Sequence, residues 1–313
     1  LVDAQSEPMD GDTKTFWTEQ FAGFDDVLDL PLDAPRPPEK SYRGGEVVRS
    51  FSAADTSMLA TAAQSMGTTL FSTLLAGYGA FLGRVTGQDD LVVGIPSALQ
   101  YGLDGGETLV GHGVNVLPMR MQIDANLPFA DWAKSVQSRV LDAREHGQVT
   151  FGSLLNLLNV RRTGGRVPLV ETILNLDAEQ NLPAFGDLDV SSRNVPKSQA
   201  TFDLAFDMLI ADGELSIFAR YNADILTQET VTVWLESFEA WMKTVSSNSS
   251  APLSEQPLVS EVQRQLVLYD WNDTATDADL DLSLPELVDR QSAKTPEAVA
   301  IRSGETSVDR KST

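Results

Sequence analysis

Residues 202–221 determine their own local structure more tightly than any other segment of the chain. Apolar and polar side chains alternate there on both sides of an Asp-Gly pair at positions 212 and 213. A period of two is typical of a β-strand with one buried face, and Asp-Gly favours a two-residue hairpin turn. The segment therefore predicts an antiparallel hairpin that needs a layer packed on its apolar face. Its alternating apolar residues are Phe202, Leu204, Phe206, Met208 and Ile210, then Leu215, Ile217, Ala219 and Tyr221.

Helical patterns surround the hairpin. Apolar residues at helical spacing predict one helix capped at Ser52 and ended by Gly67, and a second helix ended by Gly87. Further helices are predicted from Asn126, within residues 150–160, from Thr227 and around residues 16–23.

Strand patterns alternate with these helices. Residues 90–96 predict a buried strand that Pro96 stops, and residues 117–123 and 168–177 predict two more strands. Residues 30–45 hold four prolines and two glycines and predict an extended connector. This interleaving predicts the α/β class, as an α+β sandwich in which helices flank a mixed β-sheet.

Composition narrows the possible partners. The 313 residues contain 23 Lys and Arg against 45 Asp and Glu, which gives a net charge of −22. Such a charge repels nucleic acid and anionic lipid surfaces, so neither is expected as a partner. Without cysteine, the chain forms no disulfide or thiolate zinc site. No apolar run is long enough to span a membrane and residues 1–12 do not resemble a signal peptide, so we expect a cytoplasmic protein.

Motifs for catalysis or ligand binding are weak. The chain has two histidines, His112 and His146, and no serine lies in a G-x-S-x-G turn, so a nucleophilic triad has little support. Gly106 and Gly111 have the spacing of a phosphate-binding loop, but His112 stands where lysine is required. No histidine pair has metal-ligand spacing, and no acidic cluster has a calcium-loop pattern. We therefore predict no catalytic residue, no metal and no bound cofactor.

His112 allows two interpretations. As a general base it would need a group that orients it and a pKa near the working pH, and its sequence neighbours supply neither. As a structural residue it would lie in a loop and donate to a backbone carbonyl. The structural interpretation is favoured.

Seven stretches, taken in order, resemble one family. The chain is similar to the C-terminal lobe of the condensation domains of nonribosomal peptide synthetases, in the chloramphenicol acetyltransferase-like superfamily, running into the start of an adenylation domain. The stretches are FWTEQFAG with LPLDAPRP, TLFSTLLAGYGAFLGRVTGQDDLVVGIP, LVGHGVNVLPMR, RTGGRVPL ahead of ILNLD, FDLAFDM, WNDT and LVDRQSAKTPEAVAI.

The resemblance divides the chain into four parts. Residues 1–14 are expected to be a flexible segment, and residues 15–246 the condensation-domain lobe. Residues 247–283 are expected to link it to residues 284–313, the truncated start of an adenylation domain. The final part is predicted to end in a strand that has no partner in this chain.

The resemblance also implies a function. Condensation domains join a carrier-bound acyl or aminoacyl thioester donor to an aminoacyl acceptor, and the second histidine of HHxxxDG in the N-terminal lobe assists the attack. That motif does not occur in this sequence. We therefore expect the chain to be inactive without an N-terminal lobe. Its implied partners are that lobe, the adenylation domain and carrier proteins, which bring the phosphopantetheine arms.

The family motifs mark six positions as tunnel-wall or structural residues: Gly111, His112, Asn115, Arg120, Arg166 and Asp203. The resemblance implies a floor loop within residues 97–111 and a latch within residues 178–201. Glycine at position 113, where the family usually has an aromatic residue, departs from the pattern, as do Thr163 and Gly165. The alternative to a catalytic lobe is a non-catalytic module that docks carrier proteins or bridges domains.

Overall fold

The computed structural model describes residues 9–25, 27–98, 108, 110–111, 113–161, 164–178, 186–188, 190, 195–259, 261–276 and 281–312. The chain divides into two compact units, residues 1–260 and residues 261–313. The predicted linker at residues 247–283 spans this division. Its first part packs on the larger unit, where Leu253 is buried and its carbonyl accepts from Arg84 Nη1 at 2.9 Å.

A six-stranded mixed sheet forms the centre of the larger unit, in the order β1-β6-β5-β4-β2-β3. Strands β2, β4 and β5 run parallel to one another, and the other pairings are antiparallel. The strands are β1 (Gly44–Phe51), β2 (Asp90–Ala98), β3 (Val114–Gln122), β4 (Thr172–Ala178), β5 (Leu204–Ala211) and β6 (Glu214–Asn222).

The predicted hairpin is confirmed as strands β5 and β6. Ala211 pairs with Glu214, and the two turn residues between them, Asp212 and Gly213, have φ values of 50° and 81°. Positive φ at both central positions is the signature of a type I′ turn, whose twist matches that of the flanking strands. The alternating side chains from Leu204 to Tyr221 are buried or half-buried as the pattern requires.

Helices cover one face of this sheet, which confirms the predicted sandwich. Burial of apolar residues from α2, α3, α4 and α6 against the strands forms a single core. The helices are α1 (Gly11–Gln20), α2 (Ala53–Met66), α3 (Leu70–Thr86), α4 (Phe129–Glu145), α5 (Phe151–Leu157) and α6 (Gln228–Ser247).

The helices begin and end at the capping residues predicted from the sequence. Ser52 accepts a hydrogen bond from the Asp55 N–H at the start of α2, and Thr227 does the same for Thr230 at the start of α6. Gly67 and Gly87, with φ of 72° and 73°, end α2 and α3 in the left-handed conformation.

The sequence predictions missed one strand and ended another too early. Strand β1 was not predicted. Residues 44 and 45 were assigned to a connector, and buried and exposed side chains do not alternate cleanly along the strand. Strand β2 does not stop at Pro96 but continues to Ala98. Its antiparallel pairing with β3 runs through Pro96. Its parallel pairing with β4 joins Gly94 to Ile173.

The smaller unit contains two helices, α7 (Glu261–Leu268) and α8 (Leu284–Lys294), and a two-stranded sheet. Ser283 and Glu286 form a capping box at the start of α8. The predicted partnerless strand was wrong: β7 (Val299–Ser303) pairs with β8 (Thr306–Asp309). The sequence between them favours a turn at Gly304, whose φ is 60°. In the described part of the chain, no helix is long and apolar enough to cross a membrane.

Candidate functional site

One edge of the sheet carries the ends of two neighbouring parallel strands, β2 at Ala98 and β4 at Ala178. Because both strands point the same way, the chain leaves the sheet at this edge after each of them. The predicted floor loop and the predicted latch therefore both start here, at what we call the loop edge. Most of the two loops, residues 99–107 and 179–185 among them, lies outside the described residues. A shared exit from parallel strands is a common position for binding loops.

Asn115 lies at the loop edge, near the start of β3, and its side chain is buried with 7% exposure. Its Nδ2 donates to the carbonyl of Val149 at 2.5 Å, and its Oδ1 accepts from the N–H of Phe151 at 2.9 Å. The amide thus fixes β3 to the first turn of α5. Gly111 is exposed with no atom near the position of a Cβ, and His112 lies outside the described residues.

Replacing Asn115 with alanine should lower the free energy of unfolding by about 1–3 kcal/mol, because it leaves the buried Val149 carbonyl and the part-buried Phe151 N–H without their partner. Urea unfolding followed by circular dichroism measures the change. Asn126→Ala is the matched control, since that amide is exposed and donates to Asp124 on the surface, and its effect should stay within about 0.5 kcal/mol. Equal losses in the two variants would contradict the assignment.

Arg120 lies at the opposite edge of the sheet, where β3 ends. Its guanidinium forms a two-pronged ion pair with Asp90, with Nε and Nη2 at 2.9 and 2.6 Å from the carboxylate oxygens. Nη1 donates to the carbonyls of Gln20 and Ala22 at 3.0 Å each. Arg120 therefore holds the end of α1 to the sheet.

Arg166 lies at the same edge, beside the start of β4. Its Nη1 is 2.5 Å from Glu171 and 3.1 Å from the carbonyl of Leu28, while the other Glu171 oxygen accepts from the Leu28 N–H at 2.7 Å. Burial raises the pKa of Glu171 above its ordinary value, because the Arg166 contact offsets only part of the lost hydration.

Asp203 precedes β5 at this edge and is 2% exposed. It accepts from Arg36 at 2.5 Å, from Lys40 at 3.3 Å and from the amide of Asn222 at 3.2 Å. Burial by itself raises the pKa of Asp203, but the hydrogen bond from Arg36 and the charge of Lys40 hold that pKa below its ordinary value.

These contacts fasten one continuous stretch, residues 27–43, across the opposite edge of the sheet. The seven residues of β4 place that edge about 20 Å from the loop edge. The structure therefore separates five of the six predicted site positions: Asn115 and Gly111 belong to the loop-edge side, whereas Arg120, Arg166 and Asp203 do not.

The sequence predictions missed the partners of these charged residues: Arg36, Lys40, Glu171 and Asn222. A usable signal existed for Glu171, which directly precedes a buried strand, as Asp203 does. Acidic residues that directly precede neighbouring parallel strands lie side by side. Thr172 pairs with Leu204, so Glu171 and Asp203, one residue earlier on each strand, are neighbours.

The second histidine, His146, packs against α1. Its ring stacks on Phe16 at a centroid distance of 4.4 Å, and Nδ1 lies 3.3 Å from the hydroxyl of Thr13. The described residues contain no group of three or more His, Asp or Glu side chains that could hold a metal ion. A cavity of about 450 Å³ lies beside Phe24, Leu169 and the Arg166–Glu171 pair, at the edge opposite the loops.

The fold is of the α/β class, with a mixed sheet flanked by helices, and condensation-type proteins share it. A four-domain nonribosomal peptide synthetase bound to AMP and glycine matches 98% of this chain with a TM-score of 0.81 at 20% identity, over 24% of its own length. The X-domain from teicoplanin biosynthesis matches 82% of this chain with a TM-score of 0.72 at 25% identity, over 59% of its length.

The chain belongs to the condensation-domain family, whose family model matches residues 4–268. Surfactin synthase subunit 1 of Bacillus subtilis (strain 168) is 32% identical over 290 residues, and tyrocidine synthase 3 of Brevibacillus parabrevis is 30% identical over 289 residues. Each alignment covers 92% of this chain but only 8% and 4% of those proteins.

Proposed function

We propose that this chain is the C-terminal lobe of a nonribosomal peptide synthetase condensation domain and forms one wall of the site where an amide bond is made. The donor would be a carrier-bound acyl or aminoacyl thioester and the acceptor a carrier-bound aminoacyl group. The observation that carries this proposal is that the chain leaves the parallel strands β2 and β4 at the same edge of a condensation-family sheet, beside the anchored Asn115. Loops placed in this way can position two substrates against each other.

The chemistry needs groups that this chain does not supply. The acceptor nitrogen attacks the thioester carbonyl, a C–N bond forms, the C–S bond breaks, and the thiol leaves with the proton lost by the amine. The histidine motif HHxxxDG is not in the 313 residues. The lobe would therefore be inactive alone and act by orienting the two carrier-borne phosphopantetheine arms.

The smaller unit supports the proposed adenylation partner. The family match ends at residue 268, while the four-domain synthetase aligns with 98% of the chain. We propose that residues 284–313 are the start of an adenylation domain and that residues 247–283 connect it to the lobe.

A separately produced N-terminal lobe should restore amide formation when it is mixed with this chain and two loaded carrier proteins. Because activity requires both walls, either lobe alone should give no dipeptidyl thioester above background, as measured by intact-protein mass spectrometry. The control is an N-terminal lobe with the second histidine of HHxxxDG replaced by alanine, which should bind this chain but form no product.

The alternative function, a non-catalytic module for carrier docking, predicts a different outcome. Carrier protein would bind this chain in a titration, yet no pairing of lobes would give product. Formation of the complex between the lobes without any amide bond would count against the catalytic proposal.

A further inference from the structure

The cavity beside the start of β4 combines an apolar lining with a few charged side chains. Its volume of about 450 Å³ lies within the range of pockets that bind small molecules. The apolar lining comes from two segments of the chain, one with Phe21, Phe24 and Val27 and the other with Pro168 and Leu169. Arg161, Arg166, Asp25 and Glu171 supply its charged groups. A lining of this kind suits a ligand that has an apolar body and one charged end.

Arg166 brings an unused pair of hydrogen-bond donors to this cavity. Its Nη1 is engaged with Glu171 and with the carbonyl of Leu28. Its Nε and Nη2, which form the other edge of the guanidinium, donate to none of the described residues, and both atoms retain accessible surface. In Arg120 the same edge holds the two carboxylate oxygens of Asp90, at 2.9 and 2.6 Å. Arg166 therefore presents a carboxylate-binding edge to which the described residues supply no carboxylate.

Contacts with the protein hold this guanidinium in place. Glu171, which is 4% exposed, accepts from Arg166 Nη1 at 2.5 Å and from the N–H of Leu28 at 2.7 Å. The residue before Arg166 is Gly165, with a φ of 74°, and a Cβ there would lie 2.7 Å from the carbonyl oxygen of Pro37. The backbone that leads to Arg166 is thus fixed by close packing. Donors that are already ordered lose little conformational entropy when a ligand binds, which favours affinity.

The backbone of the cavity wall is strained at Leu169. This residue has a φ of 65°, and the N–H of Val170 donates to the carbonyl of Pro168 at 2.7 Å, which closes a three-residue γ-turn. The left-handed conformation is rare for a bulky side chain, and residues held in it concentrate at functional sites. The strained turn is a second observation, independent of Arg166, that indicates a ligand site here.

The charges around the cavity select the kind of ligand. Arg166 and Glu171 form an ion pair, and Arg161 and Asp25 are an exposed cation and an exposed acid, so the four side chains have no net formal charge. A carboxylate ligand adds a single negative charge, which the two arginines can balance. A phosphate monoester would add about two negative charges at neutral pH, beside two acidic side chains. The lining therefore favours a carboxylate over a phosphate.

We propose that this cavity binds a monocarboxylate with an apolar body. The two ligand oxygens would accept from Nε and Nη2 of Arg166, and the apolar body would pack on Phe24, Val27 and Leu169. The proposal does not depend on the function proposed above, because it rests on residues at the edge opposite the loop edge.

Isothermal titration calorimetry of the full chain with 3-phenylpropanoate, added up to about 20 mM, tests the proposal. The wild type should bind one equivalent, with a dissociation constant on the order of 1 mM or lower. Two further probes separate the charge from the apolar body. The uncharged 3-phenylpropan-1-ol and the phosphate monoester 2-phenylethyl phosphate should each bind about tenfold more weakly or less.

Arg166→Lys keeps a positive charge beside Glu171 but removes the two-donor edge, so it should weaken binding about tenfold or more. Val27→Asp places a negative charge in the apolar lining and should weaken binding by a similar factor. Because Val27 is 48% exposed, this variant should fold even if Arg166→Lys does not. Circular dichroism checks the fold of both variants.

Arg43→Lys is the matched control. The Arg43 side chain is 69% exposed, pairs with Asp224 and does not line the cavity, so the affinity should stay at the wild-type value. Absence of binding by the wild type at about 20 mM would overturn the proposal. So would an unchanged affinity in either folded cavity variant, because the ligand would then bind elsewhere. Tighter binding of the alcohol or of the phosphate would overturn the assignment of a carboxylate.

Discussion

Replacing Asp203 with alanine should lower the free energy of unfolding by about 3–5 kcal/mol, one of the two largest effects expected in this chain. The carboxylate is 2% exposed, and the side chains of its two cationic partners, Arg36 and Lys40, are 12% and 7% exposed. Removing the acid leaves both cations buried without their counter-charge and frees residues 27–43 from the sheet. Urea unfolding at neutral pH, followed by tryptophan fluorescence, measures the loss.

The matched control is Asp131→Ala. Asp131 pairs with Lys134 on the surface of α4, and both side chains are more than half exposed. Surface pairs contribute little, so the expected change is about 0.5 kcal/mol or less. A loss of similar size in Asp203→Ala would show that residues 27–43 are not held by this carboxylate.

The free energies of unfolding of the wild type and of Asp203→Ala should also respond differently to acid. Because the pKa of Asp203 is lowered by folding, its contribution is present above its unfolded pKa and is lost as pH falls through its folded pKa. The stability difference between wild type and Asp203→Ala should therefore stay constant from pH 7 to about pH 5 and shrink as the pH falls below about 4. Glu171 acts in the opposite sense, because its raised pKa favours folding at low pH and this contribution is lost as pH rises.

Replacing Phe238 with alanine should also cost about 3–5 kcal/mol. Its ring is fully buried on α6 and contacts Phe81 at a centroid distance of 5.5 Å, Phe206 at 5.3 Å and Tyr78 at 6.0 Å. These contacts join α6 to α3 and to β5. The variant loses the transfer free energy of the ring and leaves a cavity between three elements.

Two further variants separate cavity formation from a general effect of mutation on α6. Val233→Ala, on the same helix and 50% exposed, should change stability by less than about 0.5 kcal/mol. Phe238→Leu should cost less than Phe238→Ala because it fills part of the space. If both substitutions at Phe238 cost no more than Val233→Ala, the helix does not depend on this cluster.

Features that depend on residues close in sequence were predicted well. The β5–β6 hairpin follows from alternation and from the Asp212-Gly213 turn, and the ends of α2 and α3 follow from their capping residues. Strand β1 escaped prediction because an edge strand is half-exposed and its pattern is weak. The fold class and family also followed from sequence, and both are confirmed.

The candidate site was only partly accessible from sequence. The roles of the motif positions stay predictions, and the sequence did not show that Asn115 lies at one edge of the sheet and Asp203 at the other. Their separation follows from strand order and direction, which no local pattern contains.

The sequence alone determined where most helices and strands form, apart from β1 and the end of β2, because caps, turns and periodicity act between residues a few positions apart. Only the tertiary structure decided which strands are neighbours and which side chains meet. Glu171 and Leu28, 143 positions apart, share a hydrogen bond because β4 lies where residues 27–43 cross the sheet. Such a contact depends on packing the whole core, since the free energy that forms it comes from apolar surface buried across many segments at once.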